Sequence, residues 1–445
     1  MGRIQEKITA SILRRIRARR TVPALDSPSA SSGGLAPAAI REASFSDFNA
    51  VMLLKQRWGL VADCFENWER LWRRNPALMP LNCDRPIGWV LEADGVVVGY
   101  MGNISLQYRY GERTLNAVTS HGLVVEPGYR SAGISLVAAF NRQKSVDLYL
   151  TTTAIPAVGK IAKLFKFDAL PQAEYESVLF WILKPRTFAR EIMKKLELKP
   201  ALARTGSAAA SLAIRVDKLM RRRWPRQHST ELAVSEIGIN EIKEKEEEFQ
   251  SLWMDKVSAD PRLFADRSSA ALRWHFEVPG DRGAARALCC RRHGKLIGYA
   301  VVRHDPQPNG VQKSLVADIL AKQDDPEVLR ALLTAAYDDA KSAGSYILEV
   351  LGLPPNVRSE FLQWNPYVRK YPASPFYYKA ADPALHKALS YGKAWYATPF
   401  DGDTTLIRPS FSRPDPSLGS SAVQIKAMLN NVATDVHVPL RSDVF

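Results

Sequence analysis

The sequence predicts an α+β protein with two similar domains in tandem, each a mixed, mainly antiparallel sheet flanked by helices. Three observations carry that expectation. The stretch "GWVLEADGVVVGYMGNISLQYRYGERTLNAVTSHGLVVEP", Gly88 to Pro127, falls into three apolar runs separated by Asp94-Gly95 and Tyr110-Gly111, the pattern of consecutive antiparallel strands joined by tight turns. Helical periodicity brackets it, in "SFSDFNAVMLLKQRWGL" and "CFENWERLWRRN" before and from about Ser131 after. Finally, "DGVVVGYM" (Asp94 to Met101) is echoed by "HGKLIGYA" (His293 to Ala300): in both, a turn glycine is followed by Gly-Tyr. Each copy lies downstream of a Trp-rich helix ending at a proline, Pro76 or Pro279. The same order of elements twice argues for a repeat.

Taken in order, residues 1–40 read as a basic amphipathic helix, with Met1, Ile4, Ile8, Ile12 and Ile16 on one stripe, followed by the flexible linker "TVPALDSPSASSGGLAPAAI". Residues 41–183 form the first domain. After its three strands and helix come a short strand "VDLYLTT", a helix "PAVGKIAKLF" and a strand within "YESVLFWIL". Residues 184–229 are a basic helical linker, with "REIMKKLELK" and "SLAIRVDKLMRRRWPR" joined through "TGSAAAS". Residues 230–410 form the second domain. There the echo is followed by a loop "HDPQPNG", a strand "SLVADIL", a helix "PEVLRALLTAAYDDAKSAG" and a strand "YILEVLG". Residues 411–445 are a C-terminal tail.

The bulk numbers narrow the function classes. A chain of 445 residues with 46% hydrophobic content is packed and globular, and long enough for two cores. Its net charge is +15, but residues 1–20 hold +6 and residues 184–228 hold +10, so the globular parts are near neutral. Basic amphipathic helices point to an anionic membrane surface, which attracts each basic residue by about 1 kcal/mol. Nucleic acid is the weaker rival, because the aromatic interleaving of a stacking platform is absent. A solvated linker and, for the first segment, an organellar transit peptide are the other readings. Cys64, Cys83, Cys289 and Cys290 show no metal-ligand spacing, so no metal is expected and a reducing compartment fits. No apolar run reaches the roughly 18 residues of a membrane span, and the start lacks the apolar core of a secretory signal. The expectation is a cytoplasmic protein, peripheral on the inner face of the membrane.

The chemistry concentrates in "HGLVVEPGYRSAGISLVAAF", His121 to Phe140. A strand that runs through a tight loop into a helix leaves backbone N–H groups unpaired at the helix N-terminus. With the positive end of the helix dipole they form an anion site suited to phosphate. Gly133 permits close backbone approach, Arg130 adds charge at the rim, and a diphosphate suits four to six such donors. The loop lacks the Gly-Lys-Ser/Thr of a P-loop, and a β-meander precedes it, so a nucleoside triphosphate or dinucleotide fits less well.

On Val125, Pro127, Tyr129, Arg130 and Gly133, this stretch resembles the central signature of the GNAT superfamily of acyl-CoA-dependent N-acyltransferases. Ser135 stands where that family has Gly or Ala. The resemblance covers residues 42–183 well and residues 230–380 by layout, and it implies tandem GNAT-like domains. It also implies that the backbone of Leu123, Val124 and Val125 binds the pantetheine arm of acetyl-CoA or another acyl-CoA, beside a β-bulge that splays the strand. The amides of Arg130, Ser131, Ala132, Gly133, Ile134 and Ser135 would then hold the pyrophosphate.

Catalysis in such a family needs a base for the attacking amine and, in many members, an acid for the departing thiolate. His121 lies on the cofactor strand and resembles the base of the arylalkylamine branch; a cleft-lining histidine without catalytic duty is the alternative. The tyrosine that often serves as acid has no counterpart: in "AVGKIAKLFKF" Ala162 stands near its place and Lys166 replaces the following glycine. Tyr175 is not carried over by any motif. In the second domain the loop after "SLVADIL" reads "AKQDDPEV", where Asp324, Asp325 and Glu327 suit a helix N-terminus but repel a pyrophosphate. Asp318 reads equally as a cleft group or a structurally paired strand aspartate. In "WYATPFDGDTTL" (Trp395 to Leu406), Asp401 and Asp403 read as a surface turn or as acceptor recognition, the latter from resemblance to tandem acyltransferases of bacterial envelope and exopolysaccharide pathways.

The leading expectation is an N-acyltransferase that moves an acetyl or other acyl group from acyl-CoA to a small-molecule or lipid-linked amine, such as an amino sugar of an envelope or exopolysaccharide precursor. The alternatives are a Fem-type aminoacyl transferase and a non-catalytic, membrane-associated GNAT-like binding protein.

Overall fold

Two mixed sheets build the fold, and each takes in strands from the other half of the chain. The structure is a computed structural model that describes residues 35–60, 62–78, 85–154, 156–195, 200–225, 231–278, 284–307, 309–370 and 376–406. The N-terminal helix, most of the following linker, Cys83, Pro279 and the C-terminal tail lie outside these residues.

The first sheet begins with β1 (Ala39–Glu42), crosses over α1 (Phe48–Arg57) and α2 (Phe65–Arg73), and continues through the meander β2 (Gly88–Ala93), β3 (Val96–Tyr110) and β4 (Arg113–Val125). The turns fall where the sequence places them. Asp94 and Gly95 take φ of 49° and 74°, and Gly111 takes 57°, left-handed values that favour Asp and Gly. Then come α3 (Gly133–Asn141), β5 (Leu148–Thr151), α4 (Pro156–Leu164), β6 (Asp168–Ala169) and β7 (Ser177–Ile182). Two helices, α5 (Pro185–Lys195) and α6 (Pro200–Met220), lead into the second half.

There the same order recurs: β8 (Leu232–Gly238), α7 (Glu246–Ala259), a short β9 (Leu263–Ala265), α8 (Ser269–Phe276), the meander β10 (Ala285–Arg292), β11 (Lys295–Pro306) and β12 (Gln312–Ala321), α9 (Pro326–Ser342), β13 (Ile347–Val350), α10 (Pro355–Leu362), β14 (Tyr367–Lys370) and β15 (Tyr377–Ala380). A final helix, α11 (Pro383–Leu389), precedes the segment 395–406. The turn of the second meander matches the first, with φ of 50° at His293 and 78° at Gly294.

Each half sends its last strand to the other. The first sheet runs β1-β2-β3-β4-β5-β15-β6, and the second runs β14-β7-β13-β12-β11-β10-β8. Thus β7 lies between β13 and β14, antiparallel to both, and β15 lies between β5 and β6. All six residues of β7, Ser-Val-Leu-Phe-Trp-Ile, are buried, as expected of a strand covered on both faces. In addition β9 pairs with the far end of β3. The segments 41–183 and 230–410 therefore each build most of one sheet, and neither completes it alone. A continuous apolar core runs from Val51 and Trp68 through Trp181 to Trp395 and Leu406.

Candidate active site

The cleft begins with a defect in β4. Tyr100 faces Val124 across the β3–β4 ladder, but Gly102 faces His121, so β4 carries one residue more than its partner. Gly122 absorbs it with φ of 63°, the conformation a glycine bulge provides. On the other side, β4 pairs in parallel with β5 only from Ala117 to Thr119. A bond of 2.9 Å between the Ser120 and Thr151 hydroxyls closes the pairing. Beyond it the strands part, so the backbone of Leu123, Val124 and Val125 borders a wedge with no strand partner on that edge among the described residues.

The loop after β4 is a 3-10 turn, Pro127–Tyr129, running into α3. Its start is held by Glu126, which accepts from Arg57 and, at 3.0 Å, from the Trp58 indole. The Gly133 amide donates to the Arg130 carbonyl at 3.2 Å and the Ser135 amide to the Ala132 carbonyl at 3.0 Å. The Ser135 hydroxyl donates to that same carbonyl at 2.6 Å. The amides of Gly133 and Ser135 thus have local acceptors, whereas those of Ser131, Ala132 and Ile134 have none among the described residues, with Arg130, Ser131 and Ile134 exposed beside them. Gly133 has a packing reason: an added Cβ would meet Val125 Cγ2 at 3.1 Å. Its missing side chain lets α3 press onto β4.

At the apex of the wedge His121 is nearly buried. Its Nδ1–H donates to Asp403 Oδ2 at 3.1 Å, and the Asp403 side chain is wholly buried. Asp403 is fixed in turn: the Thr152 hydroxyl donates to Oδ1 at 2.5 Å, the Thr153 hydroxyl lies 3.3 Å away, and the Asp403 amide donates to Thr152 Oγ1 at 3.1 Å. In a neutral imidazole, a carboxylate that holds the Nδ1 proton fixes the tautomer in which Nε2 is the acceptor. The residues around Thr152 follow β5, so both sides of the wedge orient this dyad.

Lys55 of α1 reaches the same place. An added Cβ at Gly122 would lie 3.0 Å from its Nζ, and Nζ sits 5.3 Å from the centre of the Tyr100 ring. Burial pushes its ammonium down to about 8, opposed by the more distant charges of Asp63 and Asp403. Nothing in the sequence singles out Lys55, a lone lysine on an apolar helix. The sequence marks His121 and Asp403 separately, because their pairing spans 282 positions.

The corresponding cleft of the second half is filled by the protein itself. Asp318 is a structural partner there: it takes both Nε and Nη2 of the buried Arg267 at 3.1 Å, and the Tyr299 hydroxyl at 2.9 Å. Asp401 accepts from Arg267 at 3.0 Å and from the Thr398 amide at 2.9 Å. Asp401 is thus part of this internal cluster, and only Asp403 of the flagged pair reaches His121. In the second loop Asp324 holds Lys256 at 2.6 Å and also engages Arg262. Asp325 caps α9 through the Glu327 amide at 2.9 Å. Tyr175 is committed to the Thr398 carbonyl at 3.2 Å. Among the described residues no cluster of three or more His, Cys, Asp or Glu side chains could hold a metal ion.

No family model and no curated protein matches the sequence. Solved structures do match. A conserved protein of unknown function from Enterococcus faecalis V583, described as a probable N-acyltransferase, aligns with TM-score 0.50 and 9% identity over 77% of this chain and 73% of its own. A GCN5-related N-acetyltransferase from Kribbella flavida aligns with TM-score 0.49 and 12% identity over 79% and 73% of the two chains. The N-myristoyltransferase of Saccharomyces cerevisiae, solved with bound myristoyl-CoA, gives TM-score 0.48 and 12% identity over 80% and 83%. With its two bulged meanders and diverging parallel pairs, the chain has the tandem GNAT-like fold.

Proposed function

We propose that the protein is an acyl-CoA-dependent N-acyltransferase whose first half binds the cosubstrate and whose second half completes the catalytic dyad. The observation that carries this reading is the wedge between β4 and β5, with open helix N-terminal amides at its mouth and the His121–Asp403 pair at its apex. Leu123 to Val125 would hold the pantetheine arm by backbone hydrogen bonds, and the free amides of Ser131, Ala132 and Ile134, with Arg130, the pyrophosphate. His121 Nε2 takes a proton from the acceptor amine as its nitrogen attacks the thioester carbon. Asp403 keeps the ring in the required tautomer and stabilises the imidazolium that forms. The carbon–sulfur bond then breaks and CoA leaves. The filled cleft of the second half supports one cosubstrate site per chain.

Titration calorimetry with acetyl-CoA tests the cosubstrate. Binding is expected, and Arg130→Glu with Ser131→Glu, both exposed positions, is expected to abolish it without changing the melting temperature. No binding to the wild type would overturn the reading. A panel of amines and amino sugars with acetyl-CoA, set against aminoacyl-tRNA as donor, separates this function from aminoacyl transfer and from a non-catalytic role.

The surface of α6 supports an anionic membrane as partner, and so an acceptor that is lipid-linked. Polar groups of α6 turn inward: Lys218 donates to the Ile182 carbonyl at 3.0 Å, and Asp217 receives Arg223 and Tyr367 at 2.6 Å each. Leu212, Val216, Leu219 and Met220 point outward, 64%, 45%, 68% and 78% exposed. Arg215, Arg221 and Arg222 lie exposed on the same stretch. Apolar side chains rimmed by arginines fit a bilayer interface with acidic headgroups. None of the described helices is long and apolar enough to cross a membrane.

A further inference from the structure

Lys55 is 4% exposed, yet no hydrogen bond or ion pair joins it to a carboxylate among the described residues. A buried ammonium without a partner is costly, and the fold shows how that cost is avoided elsewhere. In the second half, Lys256 occupies the matching helix α7, 1% exposed. It is neutralised by Asp324 of the second loop at 2.6 Å and by Asp260 at 3.2 Å. The first loop carries no acid in that role; its Glu126 faces away, toward Arg57 and Trp58. The groups around Lys55 are Tyr100 on β3, His121 and Gly122 on β4, Asp63 ahead of α2 and Asp403 of the C-terminal segment. Asp63 is engaged by the Cys64 amide at 2.9 Å and by Asn67, and Asp403 by His121 and Thr152. The ammonium therefore stands against the glycine of the bulge, close to where β4 and β5 part, and no carboxylate among the described residues pairs with it.

We propose that Lys55 faces the sulfur of bound CoA and delivers the proton that the departing thiolate takes up. This assignment rests on the acyltransferase reading above. The step balances: the nitrogen–carbon bond forms, and the amine proton passes to His121 Nε2. The carbon–sulfur bond breaks with its electron pair on sulfur, and sulfur takes a proton from Lys55 Nζ. Solvent then returns a proton to Lys55 and removes one from His121. An ammonium lowered to about 8 by burial is close to an ordinary thiol, at about 8.5, so transfer in either direction is nearly thermoneutral. The group fills the place of an acid that the sequence of α4 leaves empty.

The test uses the full chain and free CoA. Calorimetry should show CoA binding to wild type, Lys55→Met and Lys55→Arg; Lys55→Met removes a buried unpaired charge, so its melting temperature should not fall. Ultraviolet titration of the bound thiol should show its pKa lowered by about one unit or more in wild type and Lys55→Arg, since an opposite charge within reach shifts a group that far. In Lys55→Met the shift should be lost. With an accepted amine, Lys55→Arg should keep acetyl-CoA affinity and lose at least about tenfold in turnover, because a guanidinium does not give up its proton. A bound-thiol pKa indifferent to Lys55→Met, or full turnover by Lys55→Arg, overturns the assignment while leaving the acyltransferase reading standing. Failure of wild type to bind CoA overturns both.

Discussion

At the scale of single residues, the site depends on contacts that reverse ordinary preferences. Asp403 is fully buried, and it is retained because its carboxylate accepts from His121 and from the Thr152 hydroxyl, which in turn accepts from the Asp403 amide. Asp403→Asn preserves shape and most of these bonds but presents an amide that can donate to Nδ1 and so favour the wrong tautomer. Turnover is expected to fall by roughly 10²–10⁴-fold with acetyl-CoA affinity unchanged, measured by steady-state kinetics beside calorimetry. Equal activity in the variant would remove Asp403 from the mechanism. Gly122 and Gly133 show two different uses of glycine. The first supplies a left-handed backbone at the bulge, and the second gives Val125 the space that a Cβ would occupy.

At the scale of elements, the meanders, their turn residues and the loop-to-helix entry were legible, because each is set by residues a few positions apart. The Gly-Tyr echo located equivalent strands, and among the acids of "AKQDDPEV", read as repelling a pyrophosphate, Asp324 is tied to Lys256 and Arg262. The basic linker was legible as helical, but not the orientation of α6. Its Asp217 and Lys218 face partners far along the chain, and Leu212, Val216, Leu219 and Met220 are left outward. Liposomes of acidic phospholipid should therefore pellet the wild-type protein. Leu212→Glu with Leu219→Glu should reduce pelleting at least about tenfold, because each change removes apolar burial and adds repulsion. Equal pelleting of the two forms, or none by the wild type, would exclude α6 as the contact.

At the scale of the molecule, the exchange of β7 and β15 makes the halves interdependent. A fragment of residues 38–183 would carry β7 without β13 and β14, and would lack β15 between β5 and β6. Such a piece exposes two apolar strand edges. Expressed alone, it is expected to aggregate or to form exchanged dimers, and co-expression with residues 184–445 is expected to restore a soluble complex, read by size-exclusion chromatography. A monomeric, folded fragment would contradict that dependence. The same exchange should make the described halves unfold in one transition, seen as agreement of calorimetric and van't Hoff enthalpies.

Read alone, the sequence specified three strands with their turns, a loop-to-helix entry expected to suit an anion, His121 beside them, and a second copy stripped of that loop. These are written in neighbouring residues because backbone conformation and helix-end amides are local properties. Packing across distant segments instead set that β7 and β15 change sheets, that Asp403 rather than Asp401 holds His121, that Asp318 pairs with Arg267, and that Lys55 stands near the bulge with no carboxylate partner among the described residues. Each of those outcomes depends on which side chains meet across distant segments when the apolar strands and helices are buried, and no short pattern encodes such a meeting.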